Sequence, residues 1–176
     1  MQRSVALIIC LVVLTAACFV RNSLWQNDML IWSDALEQSP AKVRGMNELG
    51  LYHVSRREFS QATDVFVKSI ALNKYQSTIY INLGIAYEGL RRFDDAVKTY
   101  RMAMYFQQDD PVPYYNLGIL TYKQLHDPQT ALDLLLKARD LNPREPDVHL
   151  YLGYVYQEQG DLRRAQEEFD LHRMLK

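Results

Sequence analysis

Cysteine is nearly absent from this chain. Its two copies, Cys10 and Cys18, both fall within the first twenty residues. Everything after Cys18 therefore lacks the thiols for a disulfide framework or a Cys-based zinc site. Glycine (7) and proline (6) are scarce too, which excludes collagen-like and Gly-rich β architectures. Neither sign of charge prevails: 20 Lys and Arg stand against 21 Asp and Glu, a formal net charge of −1. A phosphate backbone demands a basic face, so nucleic acid is not expected as a partner. The chain has no GxSxG, GxxxxGK[ST], GxGxxG or HExxH, and no two of its four histidines sit at i, i+4. Each of those spacings sets a nucleophile, a phosphate cradle or a metal-ligand pair. No catalytic, cofactor-binding or metal-ligating residue is assigned, and the chain reads as a non-enzyme. His53 and His149 read as packing residues, and the pairs Asp109-Asp110 and Glu167-Glu168 as solvated surface.

What is present falls into two parts. The chain has 176 residues, 48% hydrophobic and 23% charged, with 12 Tyr. That suits one folded domain plus an appendage. The appendage is residues 4–20, SVALIICLVVLTAACFV, which carry no charge and lie between Arg3 and Arg21. Seventeen apolar residues reach the lower limit for spanning a bilayer, so residues 1–21 are read as a single-pass anchor in a bacterial inner membrane, with the remainder periplasmic. Two alternatives compete. Thr15-Ala16-Ala17 can serve as a signal-cleavage site, and Leu14-Thr15-Ala16-Ala17-Cys18 resembles a lipobox, which would make Cys18 a lipidation site.

The second part repeats itself. Leu-Gly recurs at Leu49-Gly50, Leu83-Gly84, Leu117-Gly118 and Leu152-Gly153, with glycines 34, 34 and 35 apart. A small residue follows at Ala62, Ala96, Ala131 and Ala165, then a bulky one at Phe66, Tyr100, Leu135 and Phe169. A second small series runs Ser69, Ala103, Ala138 and is broken by His172. The slip to 35 implies one inserted residue around His126-Asp127-Pro128. Each unit reads as two helices; in the second they cover residues 78–91 and 94–107. A small residue at a fixed place on each helix lets two backbones approach closely, and the bulky residue fills the space beside it. A fixed period of this length is the mark of a stacked repeat array.

The pattern resembles the tetratricopeptide repeat. Tyr80, Leu83, Gly84, Tyr87, Ala96, Tyr100 and Ala103 match its signature in the second unit. Tyr114, Leu117, Gly118, Ala131, Leu135, Ala138 and Pro143 match it in the third, and Leu152, Gly153, Tyr156, Ala165 and Phe169 in the fourth. The first has Leu49, Gly50, Ala62 and Phe66, with His53 in an aromatic's place. The resemblance implies an all-α, right-handed α-solenoid of four hairpins, at residues 43–76, 77–110, 111–145 and 146–176. Residues 22–42 hold a half-repeat capping helix, since Trp32 lies 34 before Phe66 and Ala35 lies 34 before Ser69. The stretch from Arg21-Asn22 through Leu30-Ile31-Trp32 to Leu49-Gly50 is also similar to a known junction. There, the last membrane helix of certain multi-spanning glycosyltransferase-like proteins meets a tetratricopeptide tail.

In such a solenoid the first helices of successive hairpins line a concave wall. Arg44, Asn47, Leu51, Thr78, Ile81, Ile85, Val112, Tyr115, Ile119, Tyr122, Leu150, Tyr154 and Gln157 fall there by register. From these, Leu51, Ile81, Ile85, Tyr115, Ile119, Tyr122, Leu150 and Tyr154 are read as a protein-binding groove for an apolar peptide or an amphipathic helix. The family's carboxylate-clamp subtype needs a cation where this chain has Asn47. Asn82 and Asn116 alone do not supply it, so that subtype is not expected. The function that follows is a membrane-tethered scaffold. The alternatives are an accessory tail of a membrane glycosyltransferase-like system and a lipoprotein assembly factor for a pilus or secretion complex. The C-terminal edge, without a further capping helix, would be the surface for a homo-oligomer.

Overall fold

The computed structural model describes residues 43–176. The anchor segment, Cys18 and the half-repeat helix expected at residues 22–42 lie outside them. The described residues form eight α-helices and no strand: α1 Val43–Ser55, α2 Phe59–Leu72, α3 Ser77–Gly89, α4 Phe93–Phe106, α5 Pro111–Leu120, α6 Pro128–Leu141, α7 Pro146–Glu158 and α8 Leu162–Leu175. They pair as hairpins α1–α2, α3–α4, α5–α6 and α7–α8. Each hairpin packs on the next, and α1 also touches α3. This is a four-hairpin α-solenoid. Among the described residues no helix is long and apolar enough to cross a membrane.

The starts and stops follow from local chemistry. Asp110, Asp127 and Asp161 each accept a backbone N–H of the following first turn, from Val112, Thr130 and Arg164. Pro111, Pro128 and Pro146 open α5, α6 and α7, where a missing N–H costs nothing. The first helix of each hairpin ends in a left-handed residue: Arg57, Arg91, His126 and Gly160. At three of these four places a side chain tolerates the conformation that glycine adopts freely. The left-handed turn at Arg91 stops α3 at Gly89, short of the expected residue 91.

The inserted residue of the third hairpin is not in the connection at His126-Asp127-Pro128. Gly118 lies eight residues before left-handed His126, whereas Gly84 lies seven before Arg91. The extra residue is absorbed upstream, in one π-helical turn at Thr121–Leu125 that continues α5. A helix takes up an added residue by widening one turn, and the connection keeps its length.

The interior runs through the stack. Ala62 and Phe66 of α2 are buried with Ile79, Leu83 and Ala86 of α3. Tyr80, Ile81, Ala96, Tyr100 and Ala103 are buried with Leu117 and Leu120 of α5. Ala131, Leu135 and Ala138 of α6 are buried with Val148, Leu152, Val155 and Tyr156 of α7 and Ala165 of α8. Every cluster bridges two hairpins, so no hairpin has a core of its own. The glycines show why the Leu-Gly pair recurs. A methyl built on Gly50, Gly84 or Gly153 would come within 2.2–2.5 Å of the ring of Phe66, Tyr100 or Phe169. His172, which breaks the second small series, is nevertheless buried, its Nδ1 lying 2.8 Å from the Pro146 carbonyl oxygen.

One surface assignment is overturned. Glu168 is buried, not solvated, whereas its neighbour Glu167 is exposed and paired with Arg163. Consecutive helical residues point about 100° apart, so the two carboxylates meet different surroundings. Glu168 Oε2 lies 2.6 Å from His149 Nδ1, and its Oε1 accepts from Arg139 Nη1 at 3.1 Å. The other ring nitrogen of His149 lies 2.8 Å from the Pro143 carbonyl. His149 thus fills an aromatic position while bonding α8 and the α6–α7 connection, and Glu168 ties α8 to α6 through Arg139 and to α7 through His149.

Candidate functional site

The first helices of the hairpins, to which register assigns the concave wall, are α1, α3, α5 and α7. Leu51, Ile85 and Tyr154 are exposed on them, at 36%, 36% and 41%. Tyr115, Ile119, Tyr122 and Leu150 are half-buried, and the first three of these pack against the interior of the last two hairpins. Ile81 does not belong to this surface. It is 6% exposed and packs among Tyr100, Leu117 and Leu120. It shares this buried cluster with residues of α4 and α5, a convergence that register within a single helix does not foretell. Of the two clamp-position asparagines named above, Asn82 donates from Nδ2 to Asn47 Oδ1 at 2.7 Å, bridging α3 to α1.

The α5–α7 part of the wall is an aromatic ladder. Tyr115 meets Tyr151 edge-on at 6.5 Å between ring centroids, Tyr151 meets Tyr154 at 6.0 Å, and Tyr154 meets Phe169 at 5.4 Å. Lys123 Nζ sits 4.8 Å from the Tyr151 centroid, a cation over a ring face. Tyr151 escapes the groove series because it stands beside Leu150, at the position that Asn82 and Asn116 hold in the second and third hairpins.

A cavity of about 350 Å³ opens where the second, third and fourth hairpins meet. It is lined by Ile85, Val112, Tyr115, Asn116, Glu145 and Asp147, among others. Register could have found Asp147, which stands one repeat after Val112 in the series Arg44, Thr78, Val112. Glu145 precedes α7 and carries no periodic signal. Burial raises the Tyr115 hydroxyl's pKa above the ordinary value, and the nearby Asp147, Tyr151 and Glu145 add to this. Tyr122 is raised likewise, by burial first and then by Glu158.

Glu88 lies at the α3 end of the wall. It accepts a hydrogen bond from the Tyr100 hydroxyl at 2.5 Å. Burial raises its pKa above 4.5, opposed by that hydrogen bond and by Lys123. The folded chain therefore binds this proton more tightly than the unfolded chain does. In the window opening upward from pH 4.5, the stability contributed by Glu88 falls as pH rises. Glu88→Gln still accepts from Tyr100 and removes that dependence. Denaturation from pH 4.5 upward is expected to give a stability-against-pH slope that is more positive for the variant than for the unaltered chain, and an unchanged slope would refute it. Among the described residues no three His, Cys, Asp or Glu side chains group to hold a metal ion.

Stacked helical hairpins with a continuous interior and an open concave wall define a solenoid of the protein-interaction class. Residues 79–112 and residues 118–173 each match the tetratricopeptide repeat. The chain belongs to the tetratricopeptide repeat family. It is similar to the photosystem I assembly protein Ycf3 of Synechococcus elongatus, 28% identical over 127 residues, spanning 65% of this chain and 72% of that protein. It is 30% identical over 80 residues to the human protein O-mannosyl-transferase TMTC3, spanning 46% of this chain and 9% of that one. Its fold is that of YrrB, described as a tetratricopeptide protein with an unusual peptide-binding site. The TM-score is 0.70 at 21% identity, over 82% of this chain and 74% of that one.

Proposed function

We propose that the chain is a scaffold that captures an apolar peptide or an amphipathic helix of another protein in its concave groove, and that it has no catalytic role. The observation that carries this reading is the contiguous surface from Ile85 through Tyr115 to Tyr154, apolar and aromatic yet outside the interior. Tyrosines give large contact area with few rotors, and a helix lays its apolar face into such grooves. The similarity to an assembly protein and the shared fold with a peptide-binding protein agree with it. The apolar run at residues 4–20 would tether the scaffold to a bacterial inner membrane and hold the solenoid on the periplasmic side. Leu171 and Met174, exposed on α8, are where a second copy would pack.

The second reading, an accessory tail of a glycosyltransferase-like membrane system, is favoured by the similarity to the human mannosyl-transferase. The third, a lipidated assembly factor for a pilus or secretion complex, rests on the lipobox-like residues before Cys18. Mass spectrometry of the mature N-terminus separates the third from the others: a lipid on Cys18 selects it, an intact Met1 rejects it.

The test of the groove uses its exposed residues, because Tyr115 and Ile119 also support the interior. In affinity purification from membranes, Ile85→Asp with Tyr154→Asp is expected to lose the proteins that co-purify with the unaltered chain. The melting temperature should move by only a few degrees, since exposed substitutions cost little. Retention of the same proteins would remove the groove as their binding site.

A further inference from the structure

The wall is not neutral at the cavity beside Tyr115. Glu145 and Asp147 both line the cavity bounded by Ile85, Val112 and Tyr115. Among the described residues neither carboxylate forms a salt bridge with a Lys, Arg or His. Their fields converge on the Tyr115 hydroxyl. Farther along the wall Glu158 acts on Tyr122, and Glu88 lies beyond Ile85. Lys123 lies over the Tyr151 ring and also acts on Glu88, but among the described residues it forms no salt bridge with Glu145 or Asp147.

Glu145 caps α7 and Asp147 lies in its first turn, so the helix end offsets part of their charge. A purely apolar partner docking here would still strip water from two half-buried carboxylates without adding a cation, which costs free energy. An acidic partner would add repulsion. A basic side chain avoids both: it neutralises the carboxylates as it desolvates them, and its stem packs on the apolar and aromatic lining. An arginine would in addition stack its planar guanidinium on Tyr115 while bonding a carboxylate bidentately. A volume of about 350 Å³ accommodates one long side chain.

We propose that the cavity between α5 and the start of α7 receives an arginine or lysine side chain of the partner polypeptide, with that partner's neighbouring apolar side chains lying on Ile85 and Tyr154. This polarity is opposite to that of a groove built to hold a carboxylate. The proposal rests on the groove reading above and adds the partner's chemistry to it.

The test selects binders from a random peptide library displayed on phage, using the full chain in detergent micelles as target. Enriched peptides are expected to carry Arg or Lys beside Leu, Ile or Phe. Their binding, followed by fluorescence anisotropy, should weaken with added salt. It should also weaken about tenfold or more on Glu145→Lys with Asp147→Lys, since two unpaired charges are reversed. The milder Glu145→Gln with Asp147→Asn should show the same loss in smaller degree, and keeps the test sound if the reversed variant does not fold. Enriched peptides without basic residues, or binding unaffected by the Gln and Asn variant, overturn the basic-side-chain proposal. The groove reading then stands provided Ile85→Asp still abolishes binding. If Ile85→Asp and Tyr154→Asp leave peptide binding intact, the groove reading falls and takes this proposal with it.

Discussion

Tyr100→Ala is expected to lower the free energy of unfolding by about 3–5 kcal/mol, as for a large aromatic removed from a close-packed interior. Tyr100 is fully buried, sits between α3 and α5, and donates its hydroxyl to Glu88. Truncation leaves a cavity at the place where two hairpins share their core, and leaves a half-buried carboxyl without its donor. The partner residue gives a sharper form of the same prediction. Gly84→Ala is expected to cost about 1–3 kcal/mol by overpacking, since the new methyl would stand 2.5 Å from the Tyr100 ring. The same change at Gly118, which faces Leu135 at 2.9 Å, should cost less, because a leucine branch can move aside where a ring cannot. In a double-mutant cycle measured by chemical denaturation, Gly84→Ala combined with Tyr100→Leu should cost less than the sum of the single changes. Additivity within a few tenths of a kcal/mol would mean that the contact does not carry the constraint.

The second large effect belongs to Glu168. Glu168→Ala is expected to cost about 2–4 kcal/mol, because it removes an acceptor shared by a buried His149 and by Arg139. His149 would keep only the Pro143 carbonyl, leaving one ring nitrogen buried without a partner. Glu168→Gln retains one oxygen acceptor and should fall between the two. Glu167→Ala, one residue earlier on the exposed face, should change stability by about 0.5 kcal/mol or less. Equal effects at the two positions would refute the assignment of Glu168 to the interior.

The contrast between these neighbouring glutamates marks where sequence reading stops. Helix count, hairpin pairing and the close packing of glycine on a bulky residue were legible from period alone. The recurrence at 34–35 residues demands identical units, and identical units must bury their faces on one another. The exposure of Leu51, Ile85 and Tyr154 was legible for the same reason. The burial of Ile81 was not, because it lies in a cluster assembled from α4 and α5 as well as its own helix. Glu145 was not, because it stands in a connection where no periodicity acts. The extra residue of the third hairpin was visible as a slip in spacing, yet its location was not, since a helix and a loop can each absorb one residue.

By itself, then, the order of residues determined an all-helical stack of four hairpins, its repeating interior and the absence of GxSxG, GxxxxGK[ST], GxGxxG and HExxH. These are consequences of short-range periodicity and side-chain volume, which a linear chain encodes directly. The tertiary structure decided which side chains converge across hairpins: the Tyr115–Tyr151–Tyr154 ladder, the Glu168–His149–Arg139 tie and the acidic cavity beside Tyr115. Each joins residues from different helices whose separation in space depends on crossing angle and curvature, and no local pattern records those.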